Sequence, residues 1–179
     1  MFVSLCMPET VFAEIKNSLL PKGARDEEAG FVFARAEGHG HDRTVLQYLE
    51  WWPLDYQHFE HQTEYHLELV DETRARIIKH AHDLQCSLVE FHSHPGPWPA
   101  QFSASDFHGL AEFVPHIWWR LKGKPYAAIV MAPNGFDGLA WVRSPNECQA
   151  LAEIDLGERN VRPTGLSIRA VQKRRMWTD

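Results

Sequence analysis

Apolar residues recur along the chain in two rhythms, and the switches between them outline its elements. Phe2 to Leu5 reads as a strand. Pro8 then opens a helix to about Leu20, with Val11, Phe12, Ile15, Leu19 and Leu20 on one stripe, and Pro21-Lys22-Gly23 breaks it. Ala29 to Ala36 and Thr44 to Trp52 read as two strands of a hairpin around Gly38-His39-Gly40-His41-Asp42. Pro53 to Thr63 is polar and aromatic without a period, which predicts a loop or insertion. Leu67, Val70, Ile77, Ile78 and Ala81 predict one long helix from Glu64 to about Leu84.

Ser87 to His94 follows as a strand, with a proline-rich loop from Pro95 to Phe102 behind it. A helix starts near Ser103, and Pro115 is expected to end or kink it before Trp118-Trp119. Tyr126 to Met131 and Leu139 to Val142 predict a second hairpin across Pro133-Asn134-Gly135. The weakly patterned remainder suggests a short helix at Glu147 to Ile154 and a late strand at Leu166 to Val171. Strands mixed with helices in this order predict an α/β or α+β sandwich with one mixed sheet.

Bulk properties narrow the function classes. The 179 residues fit one domain, 1–179, with a core over about 1–145 and a C-terminal extension over about 146–179. Apolar content of 44% and charged content of 23% are ordinary for a soluble protein. A net charge of −6 argues against a general binder of nucleic acid or anionic membrane. The basic run Arg169, Lys173, Arg174 and Arg175 reads as a solvated tail. Cys6, Cys86 and Cys148 are scattered and odd in number, as reduced thiols of a cytoplasmic protein would be. No signal peptide or bilayer-spanning run is expected.

Candidate chemistry gathers in Glu90-Phe91-His92-Ser93-His94-Pro95 and in Ser103-Ala104-Ser105-Asp106. Side chains at i and i+2 of a strand point to the same side, so His92 and His94 can converge on one ion. A carboxylate from Asp106 would complete three ligands of a tetrahedral Zn²⁺ and leave one position open, as catalytic zinc requires. Taken alone, His-x-His fits ordinary strand residues, and Ser-x-x-Asp at a helix start fits a capping box. The capping reading is compatible with the ligand reading, because a carboxylate in a first helical turn is rigidly aimed. A hydrolytic zinc also needs a base. Glu90, on the face of the two histidines, and Glu27, just before a predicted strand where Gly30 permits close backbone approach, are both candidates, and spacing does not choose. His39 and His41 could form a second metal site, although a solvated turn is the default. His58, His61 and His66 read as surface residues.

Glu27-x-x-Gly30 leading into Phe31-Val32-Phe33, then His92-Ser93-His94-Pro95, seven residues, and Ser103-x-x-Asp106 resembles the JAMM (JAB1/MPN/Mov34) zinc metalloprotease family in order and spacing. One departure is Ala34, where the family often has a second glycine. The resemblance implies a cytidine-deaminase-like, MPN-type three-layer sandwich with a central mixed sheet flanked by helices. It assigns one zinc ion to His92, His94 and Asp106. It makes Glu27 the general base that holds the attacking water, and Ser103 a hydrogen-bond donor to the oxyanion. The substrate class it implies is an isopeptide or peptide bond after the C-terminus of a ubiquitin-like protein. Such a tail can add as an extended strand beside the cleft. Tyr56 and Phe59, in the segment that would grip that tail, and Trp98, in the proline-rich loop, become candidate substrate contacts. Trp51, Trp52, Trp118 and Trp119 read as packing residues.

The compact layout looks most like the prokaryotic JAB group, some members of which accompany E1-like and E2-like proteins in bacterial ubiquitin-like conjugation and antiphage systems. The expectation is a cytoplasmic deconjugase or precursor-processing peptidase. Two alternatives stand beside it: a JAB peptidase that trims a sulfur-carrier protein, and a non-catalytic MPN module that only binds partners.

Overall fold

Nine strands join in one mixed sheet because the chain alternates buried side chains to both of its faces. The computed structural model describes residues 1–38, 42–63 and 67–175, excepting the side chains of 174 and 175. In chain order the strands are β1 (Phe2–Cys6), β2 (Ala29–Gly38), β3 (Arg43–Pro53), β4 (Phe59–Gln62), β5 (Leu67–Leu69), β6 (Ser87–Ser93), β7 (Tyr126–Ala132), β8 (Gly135–Trp141), β9 (Gln149–Ala150), β10 (Glu153–Asp155) and β11 (Asn160–Val161). The helices are α1 (Glu9–Leu19), α2 (Asp71–Asp83), α3 (Ala104–Arg120) and α4 (Leu166–Arg175). The large sheet runs β11-β10-β1-β3-β2-β6-β7-β8-β9, and β4 pairs with β5 in a small separate ribbon. Within the large sheet β6 runs antiparallel to β2 and parallel to β7, so it is hydrogen-bonded on both edges.

The alternation on β2 and β7 builds two cores. Phe31, Phe33, Ala128 and Val130 face a cluster that includes Ile77 and Ile78 of α2 and Leu110, Val114 and Ile117 of α3. Val32, Ala34, Ala127 and Ile129 face the opposite cluster, which Phe12, Ile15 and Leu19 of α1 complete. Helices therefore cover both faces, and the fold is a mixed α/β architecture. Each fully buried aliphatic or aromatic side chain of these clusters contributes roughly 1.5–3 kcal/mol of transfer free energy, so both layers matter to stability.

Several elements differ from the sequence pattern. The expected helix from Glu64 begins only at Asp71, and Leu67–Leu69 form β5 against β4. Asp71 and Glu72 supply the negative first turn that favours a helix start at that point. The presumed loop from Pro53 to Thr63 holds a 3-10 turn at Tyr56–His58 followed by β4. Pro115 does not end its helix, since α3 continues to Arg120. Glu147 to Ile154 forms no helix: β9 pairs with the edge of β8, and β10 lies beside β1. The late strand is instead α4. Trp51 is buried and Trp52 and Trp118 pack against the core, but Trp119 on α3 is 72% exposed. Among the described residues no helix is long and apolar enough to cross a membrane.

Gly30 has a packing role that only a glycine can fill. A Cβ there would lie 2.2 Å from the ring of Trp51 and 2.7 Å from the backbone oxygen of Trp52.

Candidate metal centre

The centre is assembled where β2, β6 and α3 meet. Glu90 and His92 share one face of β6, and His94 follows directly after the strand, with its N–H donating to the Met131 carbonyl at 2.8 Å. Ser93 points the other way. Its Oγ accepts the Glu28 N–H at 3.0 Å while its own N–H donates to the Glu28 carbonyl at 2.9 Å. This two-way bond locks the segment before β2 against β6 and brings Glu27 to the histidines. Glu27 is further fixed through its backbone: its N–H donates to the Thr63 carbonyl at 3.0 Å, and its carbonyl accepts from Gln62 Nε2 at 2.9 Å.

Asp106 arrives from α3. Ser103 is the N-cap: its Oγ accepts the Asp106 N–H at 3.1 Å, and Asp106 Oδ2 accepts the Ser103 N–H at 2.6 Å. The reciprocal capping box holds the carboxylate in a single orientation in the first turn. Asp106 Oδ2 lies 3.3 Å from His94 Nε2 and 3.6 Å from His92 Nε2. One ligand atom from each of His92, His94 and Asp106 falls within 4.8 Å of the others. Glu27 Oε1 lies 3.4 Å from His94 Nε2, so its carboxylate borders the same point.

These residues suit a divalent cation on their own geometry. His92 Nε2 and Nδ1 and His94 Nε2 are buried and have no hydrogen-bond partner among the described residues. Buried polar nitrogens without partners are costly, and a shared ion is the simplest group that satisfies several of them at once. Two imidazoles and a carboxylate are a usual donor set for zinc.

The electrostatics are those of cations and anions held together. Burial disfavours a charged His92, yet the carboxylates of Asp106, Glu90 and Glu27 outweigh it and push the imidazole up to about 9. Burial opposes ionisation of Asp106, but His92, His94 and the Ser103 N–H overcome it and hold the carboxyl well below the ordinary range. Glu90 behaves oppositely: burial raises its carboxyl, against the pull of His92 and of the Tyr126 hydroxyl that donates to its Oε2. Glu90 Oε1 is 3.8 Å from His92 Nδ1, behind the ring and away from Asp106. That position suits a flanking residue better than a base.

The structure thus brings together Glu27, His92, His94, Ser103 and Asp106. Phe59, expected as a substrate contact, is instead buried at the start of β4, where its alternation turns it into the core against Leu69. Tyr56 and Trp98 are exposed by 76% and 77%. His58 caps the 3-10 turn by accepting the Asp55 N–H. His39, His41 and His66 lie outside the described residues. A groove of about 1300 Å³ runs from Glu27, His92 and Asp106 between α2 and α3, past Phe31, Ile78 and Phe113. The partnership of Glu90 with Tyr126 had no signal in the sequence beyond the shared face of Glu90 and His92. No protein-family model matches the chain, and no curated protein matches it.

Proposed function

We propose that the chain is a zinc-dependent isopeptidase or peptidase of the JAMM type, with the three-layer MPN sandwich as its fold. In this reading it acts after the C-terminus of a ubiquitin-like protein, in deconjugation, precursor processing or both. The observation that carries the proposal is the convergence of His92, His94 and Asp106 within 4.8 Å, with the Glu27 carboxylate 3.4 Å from His94.

His92 Nε2, His94 Nε2 and Asp106 Oδ2 would hold the ion. When bound, zinc supplies Lewis acidity toward water and toward a scissile carbonyl. Glu27 is placed to take a proton from the attacking water and deliver it to the leaving amine, since its backbone is pinned on both sides and its side chain is buried. Ser103 Oγ uses a lone pair to accept the Asp106 N–H, which leaves its hydroxyl hydrogen to donate to an oxyanion. The groove beside the centre has room for an extended chain, which favours a flexible tail over a folded surface as the segment that enters.

Purified protein should carry near-stoichiometric zinc. Glu27→Gln should retain that zinc and lose hydrolysis by about 10²–10⁴-fold, whereas Glu90→Gln should keep most activity. The opposite pattern would move the base to Glu90, and a zinc-free protein would favour a partner-binding module. Incubation with modifier–lysine and carrier–cysteine conjugates separates the substrate classes, because cleavage of the second alone would assign the enzyme to sulfur-carrier trimming.

A further inference from the structure

Residues 164–167 are nearly sixty positions beyond Asp106, yet they are tied to the loop that enters α3. Asp137 on β8 is 1% exposed, and its carboxylate caps α4 from across the fold. Oδ2 accepts the Ser167 N–H at 2.8 Å, and Oδ1 accepts the Gly165 N–H at 3.0 Å. Gly165 takes a positive φ of 67°, which turns the chain into the helix. Ser167, also 1% exposed, then uses its Oγ to accept the Phe102 N–H at 2.9 Å. Thr164 adds a parallel tie, its Oγ1 donating to the Ala100 carbonyl at 2.7 Å while its N–H bonds the Phe136 carbonyl at 2.9 Å.

The far end of this chain of bonds is the metal centre. Phe102 is buried, its ring lies 5.5 Å centroid to centroid from His92, and the next residue, Ser103, is the cap that aims Asp106. A displacement of the Phe102 backbone would therefore reach two of the three ligands by separate routes, one through ring packing and one through the capping box. Pro95, Pro97 and Pro99 have no backbone N–H, so the loop has fewer donors of its own with which to resist such a shift. The residues that resist it come from β8 and α4.

We propose that Ser167 and Asp137 are positioning residues for the metal centre, with Asp137 holding the start of α4 and Ser167 holding the Phe102 backbone. The proposal rests on the zinc reading of His92, His94 and Asp106, and the C-terminal segment becomes part of the active apparatus under it. It predicts that removing the Ser167 hydroxyl loosens the ligands without touching them.

The test uses the full chain carrying Ser167→Ala, with Ile154→Val on β10 as a control for general destabilisation. Hydrogen exchange is followed at Phe102 and at 103–107, zinc affinity by chelator competition, and coordination geometry by the visible spectrum of bound Co²⁺. Expected for Ser167→Ala are faster exchange across 102–107, a zinc affinity lower by about tenfold and an altered Co²⁺ spectrum. Ile154→Val should lower the urea midpoint and leave these three readings at the wild-type values. Wild-type affinity and spectrum in Ser167→Ala, or equal changes in the control, would overturn the proposal. Should Ser167→Ala fail to fold, Thr164→Val removes the parallel tie with little change in shape and is read the same way. Wild-type protein that binds neither metal would sink the zinc reading alone, and the coupling would then stand or fall on the exchange rates at 102–107.

Discussion

Two turns in this molecule carry the same local device, and only one of them borders the candidate metal centre. At the 3-10 turn Tyr56–His58, Asp55 accepts the Gln57 N–H at 3.0 Å and His58 Nδ1 accepts the Asp55 N–H at 3.1 Å. At α3, Ser103 and Asp106 exchange the equivalent pair of bonds. Both boxes bring a potential ligand to a fixed orientation. The first is exposed and ends after three residues; the second opens a helix of 17 residues whose first turn faces the buried nitrogens of β6. Local geometry aims a side chain, and the tertiary structure decides whether anything waits where it points.

The comparison is broken most sharply by exchanging the aimed group. Asp106→Asn should lower zinc affinity by more than the roughly 10–100-fold that losing an outer partner costs, while Asp55→Asn leaves it unchanged; chelator competition reads both. Equal losses would mean that the two boxes are alike after all. Next in size is catalysis: at saturating zinc, Ser103→Ala should lower kcat by about 10²–10³-fold, and Asp55→Ala should not alter it. Retained activity in Ser103→Ala would reduce that serine to a cap.

A smaller effect follows from the charge on His92. The metal-free imidazole is pushed up to about 9, although burial alone would pull it down, because three carboxylates surround it. A proton must leave before the nitrogen can bind a metal, so apparent zinc affinity should rise about tenfold per pH unit below about 9 and level off above it. Asp106 is held far below that window and stays ionised throughout. A flat profile would show that His92 is neutral in the metal-free protein. Smallest is stability: Ser103→Ala should cost about 1 kcal/mol in urea unfolding, and Asp55→Ala about 0.5 kcal/mol, the low end for an exposed cap.

The parts of the site that could be read from sequence are those whose geometry is local. Period-two alternation places His92 on one face of its strand, and Ser103-x-x-Asp106 is a helix start by spacing alone. Glu27 reaches the site through a bond between Glu28 and Ser93, 65 positions apart, and no local rule predicts that pairing. The same distinction sorts the elements. The helix α1 and the strands β2, β3, β6 and β7 carry their own periodicity. The helix α4 takes its N-terminal partner from Asp137 on another strand, so its residues alone suggested a strand. Glu147 to Ile154 has helical composition, but edges of the large sheet offer backbone partners that outweigh it. Phe59 is an aromatic in a polar segment, and only the β4–β5 pairing turns it inward.

Gly30 has a consequence for anyone who reads function from tolerance to substitution. Alanine at this position would overlap the Trp51 ring and press on the Trp52 backbone, and a carbonyl in a paired strand has nowhere to retreat. A deep mutational scan would rank Gly30 with the candidate ligands, although it has no group to offer a metal or a substrate. Its intolerance would measure the thickness of a tryptophan ring, and the neighbouring Glu27 would have to be told apart from it by chemistry rather than by how rarely it changes.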